Sequence, residues 1–160
     1  MYDYIRYDSV LGPLTIAARG AALTALVIEG QRYAEIHLAG EGNEKETVVL
    51  RRARNWLDRY FASLRPDPSE LSLCPKGTPF QQRVWHELLT VPYGQTESYG
   101  SLAARLGTSA RAVGGAVGRN PLSIIIPCHR VLGSDGGLCG YAGGLDNKKK
   151  LLQLEGIIIY

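Results

Sequence analysis

The first thirty residues carry short β-prone runs that are interrupted by turn-forming residues. The breaks fall at Gly12-Pro13 and at Gly20, within the segment from Tyr2 to Gly30. Runs of this length that are separated by tight turns pair with their neighbours along the chain. The pattern therefore predicts an antiparallel β-meander.

After the meander, the hydrophobic period changes from strand-like to helical. In the stretch ETVVLRRARNWLDRYFASL, apolar residues recur three and four positions apart and arginines fill the outer face. This spacing predicts one amphipathic helix, whose inward positions are Val49, Leu50, Ala53, Trp56, Leu57, Tyr60 and Phe61. The proline-rich segment after it, Arg65 to Pro79, is typical of a linker. We therefore expect an N-terminal α+β domain with its linker at residues 1–76 and a second domain at residues 77–160.

The second domain carries four short helical patterns. The first begins at Thr78, a capping residue, and Pro79, which suits a first helical turn. The second ends at Gly107, the third is closed by Asn120-Pro121, and the fourth is NKKKLLQLEG. Two short helices joined by a tight glycine turn predict a helix-turn-helix.

The third of these helices has almost no side-chain bulk. It is built largely from alanine and glycine, and each glycine costs about 1 kcal/mol relative to alanine. Close packing against the core would explain this composition, and so would close approach to a nucleic-acid groove. Its long polar side chains are mainly Arg111 and Arg119, which favours binding with little base-edge readout, as in the minor groove.

The net charge of +3 is unevenly distributed along the chain. Residues 1–76 contain 10 basic and 10 acidic residues, whereas residues 77–160 contain 8 and 5. Between Ser98 and Val131 there is no acidic residue, and four arginines occur, namely Arg105, Arg111, Arg119 and Arg130. Such a stretch suits a polyanion, although a solvated positive face has the same composition.

Composition narrows the class of protein further. The chain has 160 residues and is 45% hydrophobic, enough to bury a core, and it lacks the run of about 20 apolar residues that a membrane helix needs. Its first ten residues do not resemble a signal peptide. Three widely spaced cysteines indicate neither a disulfide framework nor a zinc site. We therefore expect a protein of the cytoplasm, without a metal.

The most unusual stretch is IIIPCHRV. Ile124 to Ile126 predict a short buried strand that ends at Pro127, so that Cys128 lies at its exit. An isolated free cysteine is commonly an inert core residue. A neighbouring histidine favours a nucleophile instead, although His129 faces away from Cys128 along an extended backbone unless the chain turns or a water bridges them.

Glu155 is a candidate to orient that histidine. It follows a predicted helix whose inward residues are Leu151, Leu152 and Leu154, and a carboxylate is unfavourable at a helix C-terminus. A solvated terminal glutamate remains the simpler interpretation. The hydrophobic tail GIIIY either packs back on the protein or mediates a contact.

Five segments together resemble a known family. IPCHRV, RAVGGAVGRNP, SYG, GYAGGL and LLQLEG are similar to the O6-alkylguanine-DNA alkyltransferases, closely from Gly77 to Gly156 and loosely before that. The resemblance implies an RNase H-like N-terminal domain and a mainly helical, winged-helix-like C-terminal domain. It implies a monomer that binds duplex DNA in the minor groove and flips out O6-alkylguanine. The alkyl group would move irreversibly to the protein's own cysteine, once per molecule and without a cofactor. The admitted alkyl size and activity on O4-alkylthymine stay open.

The resemblance also assigns roles to individual residues. Cys128 would accept the alkyl group, His129 would deprotonate it through a water, and Glu155 would orient His129. Asn120 would hold the turn before the active-site strand, and Tyr99 would donate a proton or hydrogen bond to the departing guanine.

Two further groups follow from the same resemblance. Arg111 would fill the gap left by the flipped base, and the other expected DNA contacts are Ser98, Ala112, Gly114, Gly115 and Arg119. The expected substrate-pocket residues are Val131, Tyr141, Ala142, Gly143 and Lys148, with the Val131 and Cys128 carbonyls accepting from the guanine amino group and Lys148 binding the loop. Some relatives have a serine where this chain has Ala142, so a hydroxyl bond to the substrate O6 is unavailable here.

Two rival functions remain at this point. One is a DNA-binding regulator or damage sensor without chemistry, like the alkyltransferase-like binders, which lack the cysteine. The other is a Cys-His hydrolase unrelated to DNA. The presence of Cys128 argues against the first, and the acid-free arginine stretch argues against the second.

Overall fold

The structure, a computed structural model that describes residues 1–159, begins with the predicted meander. Strands β1 (Tyr2–Ser9), β2 (Gly12–Arg19) and β3 (Ala22–Ile28) pair antiparallel in chain order. After a short helix, α1 (Ala34–His37), a fourth strand, β4 (Gly42–Glu44), pairs parallel to β1. The prediction of a meander is confirmed, whereas β4 was missed because its exposed Gly-Asn-Glu sequence carries no apolar signal.

The predicted amphipathic helix is α2 (Val48–Phe61), and it packs on the meander. Leu50, Ala53, Trp56, Leu57 and Tyr60 are its buried residues. Val49 and Phe61, also expected to face inward, are only partly buried against the same core.

The proline-rich segment is not a free tether. It contains one turn of 3-10 helix, Pro68–Glu70, and then bonds to β3. The Leu23 N–H donates to the Ser72 carbonyl over 2.8 Å, and the Cys74 N–H donates to the Leu23 carbonyl over 2.8 Å. The segment therefore covers part of the free edge of β3.

The C-terminal half contains the four predicted helices. They are α3 (Pro79–Leu88), α4 (Tyr99–Leu106), α5 (Ala110–Gly118) and α6 (Leu145–Leu154). A two-stranded parallel sheet joins β5 (Glu97–Ser98) to β6 (Val131–Leu132). Helices α4 and α5 pack against each other, and α3 holds α5 through the buried Trp85, whose Nε1 donates to the Ala116 carbonyl over 2.8 Å. The helix-turn-helix prediction is confirmed.

The expected active-site strand is absent. Ile124 to Ile126 are buried but form turns, and Ile124 has a φ of 74°. The side chain of Asn120 stabilises these turns, because its Nδ2 donates to the Ile126 carbonyl over 2.8 Å and its Oδ1 accepts from the Leu122 N–H over 3.0 Å. The strand prediction was wrong because these contacts outweigh the β propensity of three isoleucines.

The segment from Pro121 to Pro127, called the active-site segment below because it leads to Cys128, lies along the remaining free edge of β3. The Leu26 N–H donates to the Pro121 carbonyl over 2.8 Å, and the Ser123 N–H donates to the Leu26 carbonyl over 3.1 Å. The N-terminal sheet therefore supports the segment that leads to Cys128.

Two further statements complete the description of residues 1–159. None of their helices is both long and apolar enough to cross a membrane. In the C-terminal tail, Ile157 and Ile159 are half-buried and Ile158 is exposed, so the tail packs back only in part. Tyr160, the last residue of that tail, lies outside the described residues.

Candidate active site

The backbone turns between Cys128 and His129. Cys128–Arg130 form one turn of 3-10 helix directly after Pro127, and all three residues are buried. In such a turn, successive side chains do not point to opposite faces as they do in an extended chain. The expectation that His129 must face away from Cys128 therefore does not apply.

Glu155 lies at the centre of a buried hydrogen-bond network. It is only 4% exposed, and its Oε2 lies 2.5 Å from Nε2 of His129. Its carboxylate also accepts from Arg130 Nε over 2.7 Å, from the Tyr60 hydroxyl over 2.6 Å and from the Gly94 N–H over 3.1 Å. The interpretation as a solvated glutamate is therefore wrong. The positive charge of Arg130 offsets the unfavourable placement of a carboxylate at the C-terminal end of α6.

The network sets the charge states of its members. Burial raises the pKa of a carboxyl group, but hydrogen bonds and charge from His129 and Arg130 outweigh it and hold the pKa of Glu155 well below its usual range. Burial lowers the pKa of His129, which outweighs the opposing effect of Glu155. The imidazole is therefore neutral at pH 7, with its Nε2 proton directed at Glu155.

The other ring nitrogen of His129 is available for chemistry. Nδ1 is buried and has no hydrogen-bond partner among residues 1–159. In a neutral imidazole that donates from Nε2, Nδ1 is the basic atom. The arrangement therefore leaves a free proton acceptor on the residue that follows Cys128 in the chain.

Cys128 itself is a protonated thiol at rest. Burial raises its pKa, against the opposing effects of the Asn120 side chain and the Lys148 ammonium. A buried thiol of this kind reacts only when a base removes its proton, which protects it from stray electrophiles.

Two tyrosines stand near this thiol. Burial, with the nearby charges of Cys128 and Cys139, raises the pKa of Tyr99 to about 12, so that its hydroxyl is protonated and able to donate. Burial likewise raises the pKa of Tyr141 well above its usual value. The hydroxyl of Tyr141 is buried without a hydrogen-bond partner in the described part of the chain.

A cavity of about 750 Å³ lies beside these tyrosines. Its walls come from α5, from the loop after β6 and from the segment before α1, and none of the Asp or Glu residues that the structure describes lines it. Its lining residues include Arg32, Tyr33, Tyr99, Arg111, Gly114, Gly115, Ser134, Cys139, Tyr141 and Ala142. An acid-free cavity of this size, rich in aromatic side chains, suits a planar polar ligand such as a nucleobase.

Lys148 connects the loop to the active-site segment. Its fully buried Nζ donates to the Val131 carbonyl over 2.7 Å and to the Gly140 carbonyl over 3.0 Å. Burial lowers its pKa to about 8. The Val131 carbonyl, expected to accept from guanine, thus already accepts one bond, and the Cys128 carbonyl accepts another from the Val131 N–H. Each carbonyl oxygen keeps a second lone pair for a ligand.

The loop approaches the N-terminal domain closely at Gly143. A Cβ there would come within 2.7 Å of the Ile28 side chain and 2.8 Å of the Tyr141 ring, so a larger residue would force these side chains to move. The Ala142 carbonyl accepts from the Arg32 N–H over 2.9 Å, which also links the loop to the N-terminal domain.

Packing within the protein does not require the small residues on the surface of α5. A Cβ on Gly115 or Gly118 would meet no atom of residues 1–159 within 4 Å, and one on Gly114 would make only ordinary contact with Tyr99. The small residues therefore leave open space on the outer surface of α5, which favours close approach of a nucleic-acid groove. Ala112 lies on the first turn of the helix, where Ser109 caps its N–H.

The four arginines of the acid-free stretch are not equivalent. Arg130 is buried with Glu155, and Arg105 pairs with Glu87 and Glu97, so neither belongs to a free basic surface. Arg111 and Arg119 are exposed and form no ion pair within residues 1–159. Ser98 caps α4 by accepting from the Ser101 N–H over 3.0 Å.

Sequence reasoning missed several contributors to the site. Tyr60 was expected only in the core, and nothing marked Gly94 as a partner of Glu155. Arg32 and Tyr33 carried no signal at all, because their proximity to the cavity depends on how the two domains pack. Arg130 could have been predicted as the partner of Glu155, since a buried carboxylate needs a cationic partner.

A buried thiol with an adjacent histidine and a supporting carboxylate, next to an acid-free cavity under a helix-turn-helix, defines a DNA-binding protein with a nucleophilic cysteine. Comparison with known proteins narrows this class. The family model for the 6-O-methylguanine DNA methyltransferase DNA binding domain matches residues 79–157, and the model for the ribonuclease-like domain of the same family matches residues 2–73. The chain belongs to the 6-O-methylguanine DNA methyltransferase family.

Individual relatives agree with this assignment. A methylated-DNA--protein-cysteine methyltransferase of Mycobacterium leprae is 49% identical over 92% of this chain and 88% of its own length. One from Haemophilus influenzae is 43% identical over 96% and 86%. The crystal structure of Mycobacterium tuberculosis OGT in complex with DNA superimposes with a TM-score of 0.86 at 44% identity, covering 96% of this chain and 93% of that one.

Proposed function

We propose that this protein repairs O6-alkylguanine in duplex DNA by moving the alkyl group to Cys128, once per molecule. The observation that carries the proposal is the Cys128–His129 turn, with Glu155 on the far nitrogen of the histidine and an acid-free cavity nearby. The DNA complex of the Mycobacterium tuberculosis relative supports the same ligand for this chain.

The chemistry follows from the protonation states. His129 Nδ1 takes the thiol proton through a bridging water, and the resulting thiolate attacks the alkyl carbon. A carbon–sulfur bond forms as the bond from that carbon to O6 breaks. The departing guanine takes a proton, and Tyr99, whose pKa of about 12 keeps it protonated, supplies that proton or a hydrogen bond. The product is a thioether, whose carbon–sulfur bond is stable in water, so each molecule reacts once.

The groove-facing residues have a separate task. We assign Arg111 to the gap in the duplex, because it is exposed and lines the cavity. The open space at Gly115 supports minor-groove contact along α5, with Ser98, Ala112, Gly114 and Arg119 beside it. We assign Val131, Tyr141, Ala142 and Gly143 to the base pocket and Lys148 to its support.

We place the domain boundary between Lys76 and Gly77. The hydrogen bonds of the linker to β3 end at Cys74, and the Thr78 cap begins α3, which supports a boundary in this interval. We also propose that the protein acts in the cytoplasm, where DNA is accessible and free cysteines stay reduced.

One experiment separates this proposal from its rivals. The protein is incubated with duplex DNA that carries one O6-methylguanine, and intact mass and peptide maps are recorded. We expect one methyl group on the peptide that contains Cys128, and none in Cys128→Ala, which still binds the DNA. Tight binding without transfer would indicate a sensor, whereas ester hydrolysis without DNA would indicate a hydrolase.

A further inference from the structure

Two side chains of the N-terminal domain line the cavity. Arg32 and Tyr33 lie between β3 and α1, and both belong to its wall together with Arg111 of α5. The N-terminal domain therefore reaches the place where we expect the DNA.

Tyr33 stacks with two guanidinium groups. Arg32 lies 5.1 Å from the centre of its ring, and Arg119, at the C-terminal end of α5, lies 4.2 Å from it. Cation–π contacts of this kind orient the arginine without using its N–H donors. Both guanidinium groups therefore keep their hydrogen-bonding capacity for another ligand.

Neither arginine has an acidic partner. Both are exposed, and within the described residues neither forms an ion pair, in contrast to Arg105, which Glu87 and Glu97 neutralise. Together with Arg111 they leave three uncompensated positive charges at or beside a cavity without carboxylates.

The backbone that carries Arg32 is firmly held. Its N–H donates to the Ala142 carbonyl over 2.9 Å. The preceding residue, Gln31, is 4% exposed, and its Oε1 accepts from the Ile28 N–H and from the Ser123 hydroxyl, both over 3.0 Å. The backbone of Arg32 is thus fixed relative to both the pocket loop and the active-site segment, so binding requires only its side chain to be ordered.

We propose that Arg32, positioned by Tyr33, binds a backbone phosphate next to the flipped nucleotide. The planar guanidinium matches the geometry of a phosphate and can bind it through two parallel hydrogen bonds. This inference rests on the proposed function. It gives the N-terminal domain a direct part in DNA recognition, beyond its support of the active-site segment.

The test compares two substrates in three proteins. Transfer rates are measured for wild type, Arg32→Ala and Arg51→Ala, with duplex DNA that carries O6-methylguanine and with free O6-benzylguanine. Arg51 is an exposed arginine on α2 that does not line the cavity. We expect Arg32→Ala to lose about tenfold on duplex DNA, the value of one charge-assisted hydrogen bond, and to keep its rate on the free base. Arg51→Ala keeps both rates.

A phosphate scan identifies the contact. Single phosphates around the lesion are replaced, one at a time, by neutral methylphosphonates. We expect one position to slow the wild type about tenfold and to leave Arg32→Ala unchanged. Tyr33→Phe, which keeps the ring, reacts like the wild type, whereas Tyr33→Leu shows part of the Arg32→Ala loss.

The outcomes are distinguishable. If the wild type transfers no methyl group, the proposed function itself fails. If the wild type transfers but Arg32→Ala reacts equally fast with duplex DNA, or loses equally on the free base, the phosphate contact is refuted. The same holds if every methylphosphonate slows both proteins alike.

Discussion

Replacement of Glu155 by glutamine tests the buried network most directly. The substitution keeps the shape of the side chain and removes its negative charge. Arg130, 7% exposed, would then be a buried cation whose Nε and Nη2 lose the carboxylate to which they donate over 2.7 and 3.1 Å. Glutamine offers one acceptor oxygen in place of two, so the fully buried His129 would compete for it with the other donors that bond to Glu155.

The expected cost follows from that uncompensated charge. Breaking a buried ion pair by removing one partner costs about 3 to 5 kcal/mol. Small domains are stable by only about 5 to 15 kcal/mol, so the variant should lose a large part of its free energy of unfolding. Arg130 keeps one bond, from Nη1 to the Val91 carbonyl over 2.7 Å, which limits the loss.

The same network predicts a dependence on pH. The pKa of Glu155 is depressed in the folded state from 4.5, the value of an unperturbed glutamate. Its contribution to stability is therefore fully present above pH 4.5 and is lost as the pH falls through the lower, folded pKa. We expect the wild type to lose this contribution on acidification and Glu155→Gln to lack the corresponding change.

Urea denaturation at several pH values provides the measurement. The matched control is Glu87→Gln, which removes a partially exposed partner of Arg105 and should cost no more than about 1 kcal/mol. If Glu155→Gln also cost less than about 1 kcal/mol, or if both proteins responded identically to acid, the idea of an uncompensated buried cation would be wrong.

Four further predictions concern transfer and stability. Arg111→Ala should slow repair in duplex DNA much more than reaction with free O6-benzylguanine, and equal losses would exclude a role inside the duplex. Gly115→Ala should raise the unfolding free energy by up to about 1 kcal/mol, because nothing contacts its Cβ, while slowing duplex repair; an unchanged repair rate would contradict groove contact. Since burial lowers the pKa of His129, the rate with free O6-benzylguanine should not fall between pH 8 and pH 6.5, and a titration midpoint at or above 6.5 would contradict the lowered pKa of His129. Asn120→Ala should destabilise the protein by about 1 to 3 kcal/mol, measured in urea, since it removes the acceptor of the buried Leu122 N–H and one of the two donors to the Ile126 carbonyl.

Local signals in the sequence predicted most of the helices correctly. Thr78 accepts from the Gln81 N–H over 3.1 Å and Pro79 occupies the first turn of α3, as the cap pattern required. Gly107 adopts a φ of 69° where α4 ends. These features depend on neighbouring residues alone, so the sequence contains all the information that determines them.

Interactions between distant residues could not be predicted in the same way. Three consecutive isoleucines favour a strand, yet Ile124 adopts a left-handed conformation that costs a β-branched residue roughly 1 to 2 kcal/mol. Burial of all three side chains and the hydrogen bonds of Asn120 offset that cost. The tertiary contacts that make a turn more stable than a strand are invisible in a one-dimensional pattern.

Counting charges along the sequence did not predict the basic surface, for a related reason. Arg105 and Arg130 were counted with Arg111 and Arg119, although carboxylates outside the acid-free stretch neutralise the first two. Fewer arginines of this stretch are therefore unpaired than its composition indicated. The basic surface also includes a residue of the other domain, because Arg32 and Arg119 both stack on Tyr33.

The position of the N-terminal domain follows from the same long-range contacts. Its strand β3 pairs with the segment before Cys128, and its helix α2 contributes Tyr60, which donates to Glu155 over 2.6 Å. The pKa of Tyr60 is raised by burial and by the charge of Glu155, so this hydroxyl stays protonated and keeps donating. Because the carboxylate that bonds to His129 thus depends on a hydroxyl from the other domain, the network next to Cys128, the nucleophile that we propose, is built from both halves of the chain. The helix-turn-helix alone accounts for the groove face of α5 but not for the thiol chemistry beneath it.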